Sequence, residues 1–198
     1  RLFGEASGQT SGDVRLELRL DAPDLAESWD QINPEPSLAD YRDWLRTRVD
    51  AINHSVRGIP KELTRLHICW GSWHGPHVTD VPFGDIIEEI LRAEVGGFSF
   101  EGASPRHAHE WRIWQEHKLP EGSLIYPGVI SHSTNAVEHP RLVADRIIQF
   151  AEQCLPVLAA DGYRGQASPS QPAISNARAS ARRIAASGSR SPASISPR

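Results

Sequence analysis

Thr64-Arg65-Leu66-His67-Ile68-Cys69-Trp70, then residues 85–94 (DIIEEILRAE), then Phe98-Ser99-Phe100-Glu101, is the run that decides the fold. Its outer pieces are short apolar runs with the composition of strands. Between them Ile86, Ile87, Ile90 and Leu91 recur at helical spacing, with Pro82 and Gly84 before the segment and Gly96-Gly97 breaking it. Strand, helix and strand at this spacing predict a crossover, and so a parallel pair.

Working outward, the same alternation continues. Upstream, Val14, Leu16, Leu18 and Leu20 alternate with charged residues and stop at Asp21-Ala22-Pro23, which predicts a strand followed by a loop. Ser37 precedes Leu38, Tyr41, Leu45, Val49, Ile52 and Val56 on one helical face. Ser37 with Asp40 resembles a capping box, and Gly58 is the stop. Downstream, a helix is expected over 105–117, a strand over 124–130, and a helix over 140–154 with Pro140 in its first turn. The class is α/β, and the candidate site residues fall at the C-terminal ends of strands, where ligands gather in α/β barrels.

Composition narrows the function. The chain has 198 residues, 39% hydrophobic content and a formal net charge of −4, which gives no electrostatic reason for a nucleic-acid or anionic-membrane partner. No apolar run approaches the roughly 20 residues that span a bilayer, and the start lacks a basic-then-apolar leader. Two cysteines, Cys69 and Cys154, are too few for a disulfide framework and suit a reduced, cytoplasmic setting. Methionine is absent even at position 1, so the chain is expected to begin inside a longer reading frame.

Residues two apart on a strand share a face, so His67 and Cys69 aim an imidazole and a thiolate at one region. Both are good zinc ligands. Glu101 ends the next strand and is an acceptable third. It is equally readable as an exposed strand-end carboxylate or a partner for Arg106.

The run over 66–77 (LHICWGSWHGPH), residues 98–111 (FSFEGASPRHAHEW) and residues 128–140 (GVISHSTNAVEHP) together resemble the cobalamin-independent methionine synthase family. The similarity is closest to its short, single-barrel members of the methionine synthase II type. It covers roughly residues 14 to 153, with the three motifs in the family's order. The resemblance implies part of a (β/α)8 TIM barrel over residues 14–160, carrying a zinc ion. His67, Cys69 and Glu101 match three of the family's zinc ligands. Asp21 matches the aspartate that holds the amino group of the amino-acid substrate. His132 lies near the histidine that helps protonate the folate leaving group. The implied reaction moves a methyl group from 5-methyltetrahydrofolate to the thiol of homocysteine, giving methionine. A related alkyl transfer to another thiol, of the epoxide:coenzyme M type, and an inactive fragment are the alternatives.

This chemistry asks for such residues. A free thiol has a pKa of about 8.5 and is mostly protonated at neutral pH. Zinc on the substrate sulfur displaces that proton. A methyl group on a tertiary amine is a poor electrophile, and a near-neutral histidine suits protonation of the departing nitrogen.

Two departures stand out. Where the family often has an acid after the substrate aspartate, this chain has Ala22. The family's fourth ligand lies on a later Asp-Cys-Gly strand, and nothing here resembles it. Cys154 comes too early and reads as a small buried hydrophobe. From residue 161 the chain is rich in Ala, Ser, Arg and Pro, and no acid follows Asp161. Residues 161–198 are expected to be a disordered tail or the product of a shifted reading frame. His74, His77, His107 and His109 read as loop or supporting residues. Trp70, Trp73, Trp111 and Trp114 read as core or rim packing before pterin stacking, and Arg106 as a partner for Glu110.

Overall fold

A computed structural model of the chain describes residues 17–71, 78–131 and 134–160, with side chains as far as residue 152. It divides into two compact units, Arg1–Glu101 with Leu119–Gly128, and Gly102–Lys118 with Val129–Arg198.

The first unit is built on a four-stranded parallel sheet. Its strands are β1 (Leu18–Asp21), β2 (Thr64–His67), β3 (Gly97–Glu101) and β4 (Leu124–Gly128), in the order β1-β2-β3-β4. Sequential order with parallel pairing requires every crossover to turn the same way, so the connecting helices gather on one face. They are α1 (Asp24–Gln31), α2 (Leu38–Ser55) and α3 (Phe83–Ile90). Leu66, Ile68, Phe98 and Phe100 from the sheet, with Ile86, Ile87 and Ile90 from α3 and Tyr41, Leu45 and Val49 from α2, are buried. Phe83 stands edge-on to Trp70, with ring centroids 5.3 Å apart, and meets Phe100 at 5.5 Å. Each such side chain contributes about 1.5–3 kcal/mol when fully buried.

Polar bonds fix how α2 lies on α3. The Arg46 guanidinium forks onto buried Glu89 at 2.7 and 3.0 Å, and holds that carboxyl below its ordinary value. Arg42 Nε donates to Asp85 O at 2.7 Å, and Asn53 spans Arg92 O and Glu94 N.

Several elements differ from expectation, each for a local reason. Ser37 caps α2 as read, accepting from Asp40 N, and Gly58 beyond its end has φ +80°. Residues 1–16 lie outside the described residues, so the expected start at Val14 and Leu16 does too; β1 is described from Leu18. The loop expected after Pro23 is instead helix α1. Ala26 N and Glu27 N donate to Pro23 O, while Asp24 and Glu27 place negative charge in the first turn. The regular pairing of β2 stops at His67, three residues short of Trp70, although burial still alternates through Trp70. Helix α3 begins two residues early at Phe83 and tightens after Ile90, where Arg92 N donates to Glu89 O and Ala93 N to Ile90 O.

The second unit holds a 3-10 turn (Glu110–Arg112), α4 (Ile113–Glu116) and α5 (Pro140–Ala160). The helix expected over 105–117 is therefore much shorter. Ser104 O accepts from both His107 N and Ala108 N, and Glu110 N donates to His107 O, which winds the chain through tight turns. The Glu110 carboxylate bonds the buried His107 ring at 2.8 Å. Trp114 and Phe150 are buried here; Arg146 pairs with Glu138 at 2.6 Å. Residues 161–198 lie outside the described residues. Among the described residues no helix is long and apolar enough to cross a membrane.

Candidate active site

The sheet presents one face to the helices and carries polar residues on the other. Pairing sets those residues in rows. Arg19 lies beside Arg65, itself beside Gly97; Asp21 lies beside His67, and His67 beside Ser99; Glu101 lies beside Gly128. Main-chain bonds continue past the strand ends, with Ala22 N donating to His67 O at 3.1 Å and Ile68 N to Ser99 O at 2.8 Å. Period-two alternation then leaves Arg65, His67 and Cys69 half-buried, while Leu66, Ile68 and Trp70 sit in the core.

Cys69 and Glu101 are brought together. The Cys69 Sγ–H points to Glu101 Oε1 at 3.9 Å, a weak bond, and the Gly71 amide donates to Sγ at 3.2 Å. Gly71 has φ +83°, a conformation natural to glycine. A Cβ there would stand 3.0 Å from Glu27 Oε1, so the α1 carboxylate closes this side of the thiol. Burial pushes the Cys69 thiol above its ordinary value, and the charges of Glu101, Glu27 and Asp21 push the same way against the Gly71 bond.

His67 faces Ser99, its Nδ1 lying 3.4 Å from Ser99 Oγ. Burial holds the imidazole below its ordinary value, helped by the Arg19 charge and opposed by Asp21 and Glu101. With Nδ1 turned to Ser99, Nε2 is the nitrogen left for another partner.

Among the described residues, no group of three or more His, Cys, Asp or Glu side chains is gathered closely enough to hold a metal ion. Cys69 and Glu101 nevertheless stand near the required separation. Sulfur and oxygen ligands on one tetrahedral zinc lie roughly 3.6 Å apart, against the 3.9 Å observed. Glu101 Oε2 is buried and has no hydrogen-bond partner. A carboxylate oxygen left so is costly until a donor or cation meets it. Soft sulfur, carboxylate and imidazole make a donor set that fits zinc.

The remaining expected residues fall as follows. Asp21 ends β1 and is exposed, in register with His67. His132, Trp73, His74 and His77 lie outside the described residues, as does the side chain of Cys154, which belongs to α5. Trp70 is core, its Nε1 donating to Val81 O at 2.9 Å. His107 is buried and bound to Glu110. Three neighbours of the site escaped the sequence reading: Arg19, Ser99 and Glu27. The first two were findable, each two residues before a chosen strand-end acid. Glu27 was hidden because α1 was read as loop.

No family model, curated protein or solved structure matches this chain.

Proposed function

We propose that the first unit is part of a (β/α)8 barrel and that its strand ends form a zinc-dependent thiol-alkylating site. The reaction is methyl transfer from 5-methyltetrahydrofolate to homocysteine. The observation that carries this reading is the approach of Cys69 Sγ and Glu101 Oε1 to 3.9 Å from adjacent strand ends, with Glu101 Oε2 buried and unpartnered. The sequential, wholly parallel strand order supports the barrel, since such an order curls one way with its helices outside.

In this reading Cys69, Glu101 and His67 hold the ion. The chemistry it supplies when bound is to keep a substrate thiol deprotonated near neutral pH. Ser99 Oγ, 3.4 Å from His67 Nδ1, would leave Nε2 as the nitrogen that holds the ion. Asp21 receives the substrate ammonium group, and His132 protonates the departing folate nitrogen, both roles being those the family resemblance implies. The setting is cytoplasmic, and the partners are small molecules.

A second reading, alkylation of another thiol by an epoxide, uses the same ion-holding residues. Ala22 favours it, because a buried alanine stands beside Asp21 where the family often has an acid. Labelled methyltetrahydrofolate with homocysteine, tested against an epoxide with 2-mercaptoethanesulfonate, separates the two. Stoichiometric zinc, lost in both Cys69→Ser and Glu101→Gln, is expected. A soluble, folded chain that takes up no zinc refutes both readings.

A further inference from the structure

Two charges close the neck of the segment that leaves β4. Glu138 and Arg146 pair at 2.6 Å, with only 10% and 16% of their side-chain surfaces exposed. Each also holds main chain. Glu138 Oε2 accepts from Ser131 N at 2.8 Å, and Arg146 Nη1 donates to Val129 O at 3.0 Å. Arg146 sits on α5, whose Val143, Ala144 and Phe150 are buried. Beyond the pinned Ser131, Thr134 to Val137 are exposed, Val137 completely. A nearly buried ion pair is weak support for stability, because desolvating both charges offsets their attraction. Its visible effect here is to fix the backbone at Val129 and Ser131.

We infer that Glu138 and Arg146 are positioning residues for His132, the group that the methyl-transfer reading asks to protonate the departing nitrogen. The inference rests on that reading and adds the residues that hold its acid. His132 itself lies outside the described residues. It follows Ser131 directly, so a pinned Ser131 amide restricts where the imidazole can reach. A general acid works only within hydrogen-bond reach of the atom it protonates, and a displacement of about 1 Å costs on the order of a hundredfold in rate. Both carboxylate oxygens of Glu138 are engaged, Oε1 with Arg146 and Oε2 with Ser131 N. Glutamine has one accepting oxygen and can serve only one of them. On Arg146 a single nitrogen, Nη1, reaches both Glu138 and Val129 O, so a lysine ammonium can stand in for it.

The test uses the full chain loaded with zinc, assayed for methyl transfer from 5-methyltetrahydrofolate to homocysteine, with the Ser131 amide followed by hydrogen exchange. Glu138→Gln is expected to lower kcat roughly tenfold to a hundredfold, leaving zinc content and the KM for homocysteine unchanged. Arg146→Gln does the same, and Arg146→Lys recovers most of the rate. Ser131 exchange rises roughly tenfold or more in Glu138→Gln, as for loss of a hydrogen bond to a charged group. The deciding measurement is a double variant. Glu138→Gln combined with His132→Gln is expected to be no slower than His132→Gln alone, because residues that act as one unit do not add. Circular dichroism shows which variants fold. Glu138→Asp, which keeps the charge one carbon shorter, carries the same comparison if Glu138→Gln unfolds. Losses that multiply in the double variant, or a kcat unchanged by Glu138→Gln, overturn the assignment and leave the methyl-transfer reading standing. A folded wild-type chain without methyl transfer overturns both.

Discussion

Replacing Glu101 by glutamine is expected to make Cys69 react faster with iodoacetamide. The Cys69 sulfur lies 3.9 Å from Glu101 Oε1. A thiolate and a carboxylate at that distance repel by about 1 kcal/mol in water and about 4 kcal/mol at an effective dielectric of 20. Both side chains are half-buried and partly screened, so the value falls toward the lower end. The thiolate population at fixed pH then rises roughly fivefold to tenfold, and the alkylation rate with it. Burial, the larger cause of the raised thiol pKa, and the Gly71 N–H bond are both left in place by the substitution. Mass spectrometry of digested protein follows Cys69 separately from Cys154. Near pH 7 the native wild-type thiol should react more slowly than in urea, because the folded chain holds the proton above the ordinary value. Added zinc should protect Cys69 in the wild type and not in the variant. Equal rates in wild type and Glu101→Gln, or native Cys69 as reactive as in urea, refute the argument.

Gly96→Ala should cost about 3 kcal/mol or more in urea unfolding, because its Cβ would stand 2.2 Å from Lys61 O and 2.9 Å from Glu62 Cα, both backbone atoms. Gly71→Ala should cost about 1–2 kcal/mol, since φ is +83° there, and should also weaken the bond to Cys69 Sγ, read as a changed alkylation rate. His67 gives a pH signature: its folded-state pKa lies below the ordinary value, so the unfolded chain takes up the proton first. That stability is present above about pH 6.5 and is lost as pH falls through the lowered folded value; His67→Gln should flatten this acid-side decline in urea midpoint.

Much of the sheet was legible because strand and helix periods differ. Leu66, Ile68, Phe98 and Phe100 alternate at period two, and Ile86, Ile87 and Ile90 recur at the helical period; all seven are buried. Helix α1 was not legible: only Leu25 and Ala26 are buried in it, too few to show a period in eight residues. Its Pro23 and acidic first turn were the available signal. The short α4 failed the other way. A helical pattern over 105–117 was overridden where Ser104 O takes two amides and Glu110 turns to His107.

The chain order and residue types alone determined an α/β class, the parallel sense of the strands, and a His-x-Cys pair on one face followed by a strand-end glutamate. Those features follow from local periodicity and the length of the crossovers. Only tertiary structure decided the register that sets Asp21 beside His67 and His67 beside Ser99, the approach of Cys69 to Glu101, and the arrival of Glu27 against Gly71. Such contacts depend on pairing between residues tens of positions apart, where a one-residue slip would send each side chain to the opposite face.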